Sequence, residues 1–272
     1  MSRVALAALV VVAVFAGVAA GGPPGPRLTG TLAFGTGQYV FAVRADGTGG
    51  HALTAGDYPA FSASGELAYT LNGVWVARND GTRRHHIVPR FAEYLVYADP
   101  TWSPDGTHLA YIRVDNGHET SELWVVREDG GALHGLSIVH QADTPAWSPD
   151  GKWIAYVGDG GLSEVLADGS GKRVLLRRDA ASPAWSPTGD RIAFEQRSGG
   201  RVEIWTYDVA THALRIVERH DGSVGPLAWS PDGRWLAFAR RSEIRAVRVT
   251  DGRERSVTQS YVQRIDGLTW RR

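Results

Sequence analysis

The chain has 272 residues, with 29 basic and 29 acidic side chains and no net formal charge, so no whole-molecule basic footprint speaks for nucleic acid. It has no Cys, which excludes disulfides, thiolate metal sites and cysteine catalysis. Ten Trp need a large core and 33 Gly need many tight turns, a combination that suits short strands joined by hairpins.

At the N-terminus, Arg3 precedes an unbroken apolar or small run from Val4 to Ala20, and Gly-Gly-Pro-Pro-Gly-Pro follows. A short positive region, an apolar stretch and small residues at Val18 and Ala20 form the pattern of an export signal, with cleavage expected after Ala20. The rival reading is an uncleaved anchor, because 4–20 sits at the lower edge of the length that spans a bilayer. No Cys follows the run, so a lipoprotein anchor is excluded. The expected organisation is a leader at 1–20, a Gly/Pro linker at 21–29 and one domain over 30–272. The expected location is periplasmic or extracellular.

The domain repeats itself, and two series show it. The first is a short apolar strand ending in a turn: AFSASG at 60–65, TWSPDG at 101–106, AWSPDG at 146–151, AWSPTG at 184–189 and AWSPDG at 228–233. Its aromatic positions, Phe61, Trp102, Trp147, Trp185 and Trp229, are spaced by 41, 45, 38 and 44 residues. The second is a strand ending in an acidic turn, with Asp46, Asp80, Asp129, Asp168, Asp208 and Asp251 as its six acidic positions. Trp270 lies 41 residues after Trp229, so the sixth copy of the first strand stands at the C-terminus. The N-terminal repeat begins only at Gly30-Thr-Leu-Ala-Phe and lacks that strand. A closed ring explains the offset, because one end of the chain completes the sheet begun by the other.

Local chemistry supports hairpins. In Ser-Pro-Asp-Gly, Pro presets φ at the second turn position, Asp tolerates the next and Gly takes positive φ. The strands that follow, His108-Leu-Ala-Tyr-Ile, Lys152-Trp-Ile-Ala-Tyr-Val and Arg234-Trp-Leu-Ala-Phe, are apolar on both faces, as expected of a sheet covered on both sides. Further strands at Glu122-Leu-Trp-Val-Val and Arg173-Val-Leu-Leu bring each repeat to four strands in about 40 residues. The predicted fold is all-β, a six-bladed β-propeller of four-stranded antiparallel blades closed by the C-terminal strand. A short helical turn is expected near Phe91–Tyr94.

The string Pro-Ala-Trp-Ser-Pro-Asp-Gly-Lys-Trp-Ile-Ala-Tyr at 145–156 resembles the repeat of TolB-type propellers, and is WD-repeat-like in its punctuation. The same repeat occurs in the propeller domain of prolyl-oligopeptidase-like peptidases. The resemblance covers Gly30 to the C-terminus, with close copies at 101–106, 146–151 and 228–233, Thr188 in place of Asp in the copy at 184–189, and a degenerate copy at 60–65. It implies an exported, non-enzymatic protein that binds other proteins. Neither the N-terminal α/β domain of TolB nor the hydrolase domain of the peptidases is expected here.

Motifs for catalysis are weak. No Gly-x-Ser-x-Gly occurs. Gly169-Ser-Gly-Lys lacks the spacing and the Ser/Thr of a phosphate loop and reads as a turn between strands. His118-Glu119 has no second His four residues on, and His85-His86 point to opposite faces of a strand.

Carboxylates recur before the inner strand of each repeat, at Asp57, Asp99, Asp143, Asp179 and Asp266, with Asp221 further back. In a propeller these linkers reach the channel mouth. Either the carboxylates form a ring that favours a hard cation or a basic partner, with Asp99 and Asp143 as calcium candidates, or each caps its own turn. The same linkers carry Tyr58, Tyr94, Tyr97, His140, Gln141, Arg178, His220 and Tyr261, residue types that anchor interfaces. The leading expectation is a monomeric, cofactor-free scaffold that binds protein in the cell envelope. One alternative is a lyase or hydrolase acting on carbohydrate with a metal, through His140, Gln141 and His220. Another is a sensor for calcium or a small ligand.

Overall fold

The computed structural model describes residues 28–139, 143–158, 160–223, 225–258 and 265–272. The leader expected at 1–20, most of the linker, and His140, Gln141 and Tyr261 lie outside the described residues.

Strands follow the punctuation of the sequence. β1 (Thr31–Gly35), β2 (Tyr39–Arg44) and β3 (His51–Ala55) begin the first blade. The second holds β4 (Asp57–Phe61), β5 (Glu66–Thr70), β6 (Gly73–Arg78) and β7 (His85–Pro89). The third holds β8 (Leu95–Trp102), β9 (His108–Asp115), β10 (Thr120–Arg127) and β11 (His134–Val139). The fourth holds β12 (Asp143–Trp147), β13 (Trp153–Gly158), β14 (Gly161–Leu166) and β15 (Arg173–Leu176). The fifth holds β16 (Ala181–Trp185), β17 (Arg191–Ser198), β18 (Arg201–Asp208) and β19 (Leu214–His220). The sixth holds β20 (Leu227–Trp229), β21 (Trp235–Arg240), β22 (Glu243–Arg248) and β23 (Glu254–Ser256). Finally β24 (Asp266–Arg271) returns to the first blade and pairs with β1, in the order β24-β1-β2-β3.

The result is an all-β propeller of six four-stranded antiparallel sheets. Its closure is as expected, with Leu32 opposite Trp270, Ala33 opposite Thr269 and Phe34 opposite Leu268. The helical turn expected near Phe91–Tyr94 is absent; Phe91 and Ala92 are irregular and a simple turn follows. Among the described residues no helix is long and apolar enough to cross a membrane.

Each Ser-Pro-Asp-Gly turn satisfies its own polar groups. Ser148 Oγ donates to Asp150 Oδ1 at 2.5 Å and accepts the Trp153 N–H at 2.9 Å, and Ser103 and Ser230 repeat the pattern. In the fifth blade Thr188 occupies the Asp position, and Asp190, two residues later, accepts the Ser186 hydroxyl at 2.7 Å instead. The departure from the motif is thus compensated within the same turn.

The second strand of every blade carries the core. Leu32-Ala-Phe34, Leu67-Ala-Tyr69, Leu109-Ala-Tyr111, Ile154-Ala-Tyr156, Ile192-Ala-Phe194 and Leu236-Ala-Phe238 are all buried. Because alternate residues face opposite sides of a strand, the two large residues enter the gap before their blade and Ala enters the gap after it. Leu109 and Tyr111 accordingly pack with Val74 and Val88 of the second blade, while Ala110 packs with Ile154 and Tyr156 of the fourth. Six such clusters fill six gaps, including the one between the sixth and first blades, where Phe34 meets Ala237. Large against small across each gap lets neighbouring sheets interdigitate at native density.

Candidate binding site

The antiparallel path puts the linkers between blades, and the hairpins joining second to third strands, on one face of the ring. The Ser-Pro-Asp-Gly turns and the acidic turns lie on the other. On the linker face, the inner strand of five blades breaks register at the same place, between Asp57 and Ala60, Ala98 and Thr101, Asp143 and Ala146, Ala181 and Ala184, and opposite Phe34/Gly35 in β24. Within each break one residue takes positive φ: Tyr58 at 47°, Asp99 at 50°, Thr144 at 33°, Ser182 at 52° and Gly267 at 61°. For the four non-glycine residues this conformation is costly, and β-bulges of this kind re-aim side chains at functional rims. Gly267 is required here, since a Cβ would lie 2.6 Å from Tyr58 Cα.

Four of the bulges carry an X-Pro pair, at Pro59, Pro100, Pro145 and Pro183. These prolines and Pro226 line a central channel of about 630 Å³, with Tyr58, Asp99 and Thr144 at its rim. Below them the wall is made of small residues, Ala60, Thr101, Ala146, Ala184, Ala228 and Thr269, backed by Trp147, Trp185, Trp229 and Trp270. Small side chains are what six inner strands converging on one axis can accommodate. Arg271 and Arg272 line the opposite end. The sequence carries a sign of this ring in a Pro two residues before the inner-strand aromatic, at Pro59, Pro100, Pro145 and Pro183.

Asp57 and Asp266 come together beside the rim, where β4 meets β24. Gly35 leaves the room for them, as a Cβ there would lie 1.7 Å from Asp57 Oδ1 and 2.5 Å from the Asp266 carbonyl oxygen. Burial, and then the neighbouring Asp266 charge, push Asp57 up to about 7, although it accepts the Tyr58 N–H at 3.0 Å. Asp57 is therefore largely protonated at mildly acidic pH. Asp99 stands at the rim itself, and Asp179 is exposed. Asp143 opens β12. Asp221 is paired with Arg240 at 3.1 Å and Arg241 at 2.5 Å. Among the described residues no three His, Asp or Glu side chains gather in a metal-binding group.

The remaining linker residues divide. Tyr94 is 52 % exposed, and Leu71, Phe91 and Val96 are likewise exposed apolar residues of the second and third blades. Arg178 is half-buried, with its guanidinium 5.1 Å from the centre of the Trp205 ring. Tyr97 is buried, because the bulge of β8 turns it inward against Tyr111, and its hydroxyl donates to the Pro89 carbonyl at 3.4 Å. His220 is also buried, stacked on Phe238, with Nδ1 accepting the Gly222 N–H at 3.1 Å and Nε2 3.7 Å from Glu195 Oε1. Glu195 in turn accepts the Gly225 N–H at 2.7 Å, and burial pushes its carboxyl up. That couple is fully buried and ties the linker between the fifth and sixth blades to the core.

The sequence matches no family model and no curated protein. The fold, however, is shared with solved structures. TolB from Acinetobacter baumannii superposes with a TM-score of 0.77 at 19 % identity, over 91 % of this chain and 67 % of that one. A protein assigned as TolB from Agrobacterium tumefaciens gives 0.66 at 17 % identity, over 91 % of this chain and all of the other. An oligogalacturonate lyase in complex with manganese gives 0.58 at 13 % identity, over 81 % and 70 % of the two chains. The chain is a TolB-type β-propeller in fold.

Proposed function

We propose that this protein is an exported, non-enzymatic propeller that binds a protein partner in the cell envelope through its linker face. The observation that carries the reading is the ring of bulged X-Pro pairs around an open channel of about 630 Å³. Costly backbone conformations repeated in four blades, at a rim of Pro, Tyr, Thr and Asp, suit recognition of a ligand that enters along the axis. Tyr94, 52 % exposed in the linker that leads into the third blade, is an anchor-type side chain available to a partner. The leader-like segment at 1–20 supports export, and the TolB likeness in fold supports a binding role over a catalytic one.

A photo-crosslinking residue at Tyr94 tests this in cells. The expected result is a discrete protein adduct that is absent when the same probe replaces Lys152 on the opposite face. The competing reading is a carbohydrate-cleaving enzyme, to which the likeness to the lyase lends support. Turnover of oligogalacturonate by the purified chain with added manganese would favour that reading and overturn ours.

A further inference from the structure

We propose that the seam between the first and second blades, on the face opposite the linkers, is a binding site for a small oxyanion, a carboxylate or phosphate group. Strand register builds it. Thr31 lies opposite Arg44 on one side and opposite Arg271 on the other, so all three side chains share the face of the first blade that looks at the second. Arg44 and Arg271 are two strand spacings apart, about 10 Å between their Cα atoms, with the Thr31 hydroxyl between them. A cleft of about 270 Å³ opens over this row and is closed on the far side by Phe61, Asn79 and Asp80.

The donors facing the cleft outnumber the acceptors. Arg271 lies over the Phe61 ring at 4.4 Å, and its buried Nε has no hydrogen-bond acceptor. Burial also pushes its pKa down, the mark of a cation lacking a counter-ion. Arg44 rests over Gly49, and Asp46, two residues on, accepts the N–H and hydroxyl of Thr48 at 3.0 and 2.7 Å. The one carboxylate in the wall, Asp80, is directed to the N–H and hydroxyl of Thr82 at 2.9 and 2.6 Å. His51 donates its Nδ1–H to the Gly49 carbonyl at 2.9 Å. Two guanidiniums against one committed carboxylate leave net positive charge in a partly desolvated cleft, where a planar fork suits an oxyanion.

Two equivalent rows neutralise their arginine locally, and the row at the seam differs from them. In the third and sixth blades the arginine matching Arg44 is locked to a carboxylate in its own turn, Arg127 to Asp129 and Arg248 to Asp251. The position matching Arg271 is Ser103 or Ser230, each bonded to its turn Asp. At the seam, where β24 and β1 pair without a Ser-Pro-Asp-Gly turn between them, both arginines face a cleft. Since Arg271 belongs to the closing strand β24, an anion held here also holds the ring shut.

The test is thermal unfolding of the full chain in inorganic phosphate and, in parallel, acetate, each against chloride at matched ionic strength. The expected result is a saturable rise in Tm of about 3 °C at roughly ten times the Kd, with at least one of the two anions. Arg44→Gln should abolish the rise while leaving the protein folded, and Arg271→Gln should do the same if it folds. Arg201→Gln, on the opposite face, should retain it. The stronger anion identifies the group. No rise over chloride, or a rise that survives Arg44→Gln, overturns the proposal.

Discussion

The seam between the first and second blades and the regular turns of the third to sixth blades are built from the same residue types, yet they behave in opposite ways. In the regular blades a carboxylate is answered within its own hairpin. The Ser103 hydroxyl and the Thr107 amide hold Asp105 down to about 2, and the Ser148 hydroxyl lowers Asp150 likewise. At the seam the inner strand arrives from the far end of the chain and has no such turn. Asp57 faces Asp266, and Arg271 stands where the other inner strands place Ser. A repeat neutralises its polar groups locally; an interrupted repeat leaves them to meet across blades, and there the unusual electrostatics collect.

The strongest way to break the comparison is to remove the seam. Deleting 265–272 takes away the inner strand of the first blade together with buried Ile265, Leu268 and Trp270. Burial of the two largest of these alone is worth roughly 5 kcal/mol. Urea denaturation should show a loss of at least that size and a broadened transition. A truncated chain that unfolds like the full one would mean the ring does not depend on its closing strand.

A smaller effect sharpens the contrast in charge. Asp57 is raised in the folded state to about 7, against about 4 for an unfolded chain, so the native state binds the extra proton. Stability from this group is complete below about pH 4 and is lost as pH rises through 7, the reverse of a paired carboxylate. Allowing for partial exposure, the loss is about 2 kcal/mol. Denaturation at pH 5 and pH 8 should show it, and Asp57→Asn should flatten the slope. A slope unchanged in that variant would place its origin elsewhere.

The smallest effect lies in a regular turn. Ser148→Ala removes a hydroxyl that both donates to Asp150 and accepts the Trp153 N–H, and should cost about 1 kcal/mol by the same denaturation assay. In this variant Asp150 loses its strongest hydrogen bond and should titrate closer to an ordinary carboxylate, as NMR would read. If Asp150 keeps its lowered pKa without Ser148, the turn is not self-sufficient in the way the comparison requires.

Much of the architecture was legible beforehand, for reasons tied to particular residues. Trp270 falls on the period of Trp229, so the closing strand could be assigned, and the observed pairing of Leu268–Trp270 with Leu32–Phe34 follows from that phase. The channel rim is legible only in part. Asp57, Tyr58, Asp99 and Asp266 precede the inner-strand aromatic in sequence, and they stand at or beside the channel mouth. Tyr97 and His220 hold the same kind of linker position but turn into the core, because a bulge or a stacking partner decides orientation where linker position does not.

By itself the sequence determined the strands, the number of blades and the way the ring closes. Those depend on turn chemistry and on a period, both of which are properties of neighbouring residues. Only the tertiary structure decided which polar groups meet. That Asp57 confronts Asp266, that Arg44 and Arg271 flank one threonine, and that five X-Pro pairs line one channel all depend on register between strands far apart in the chain. Register across a closed ring is set by packing in all six gaps at once, and no local pattern carries that information.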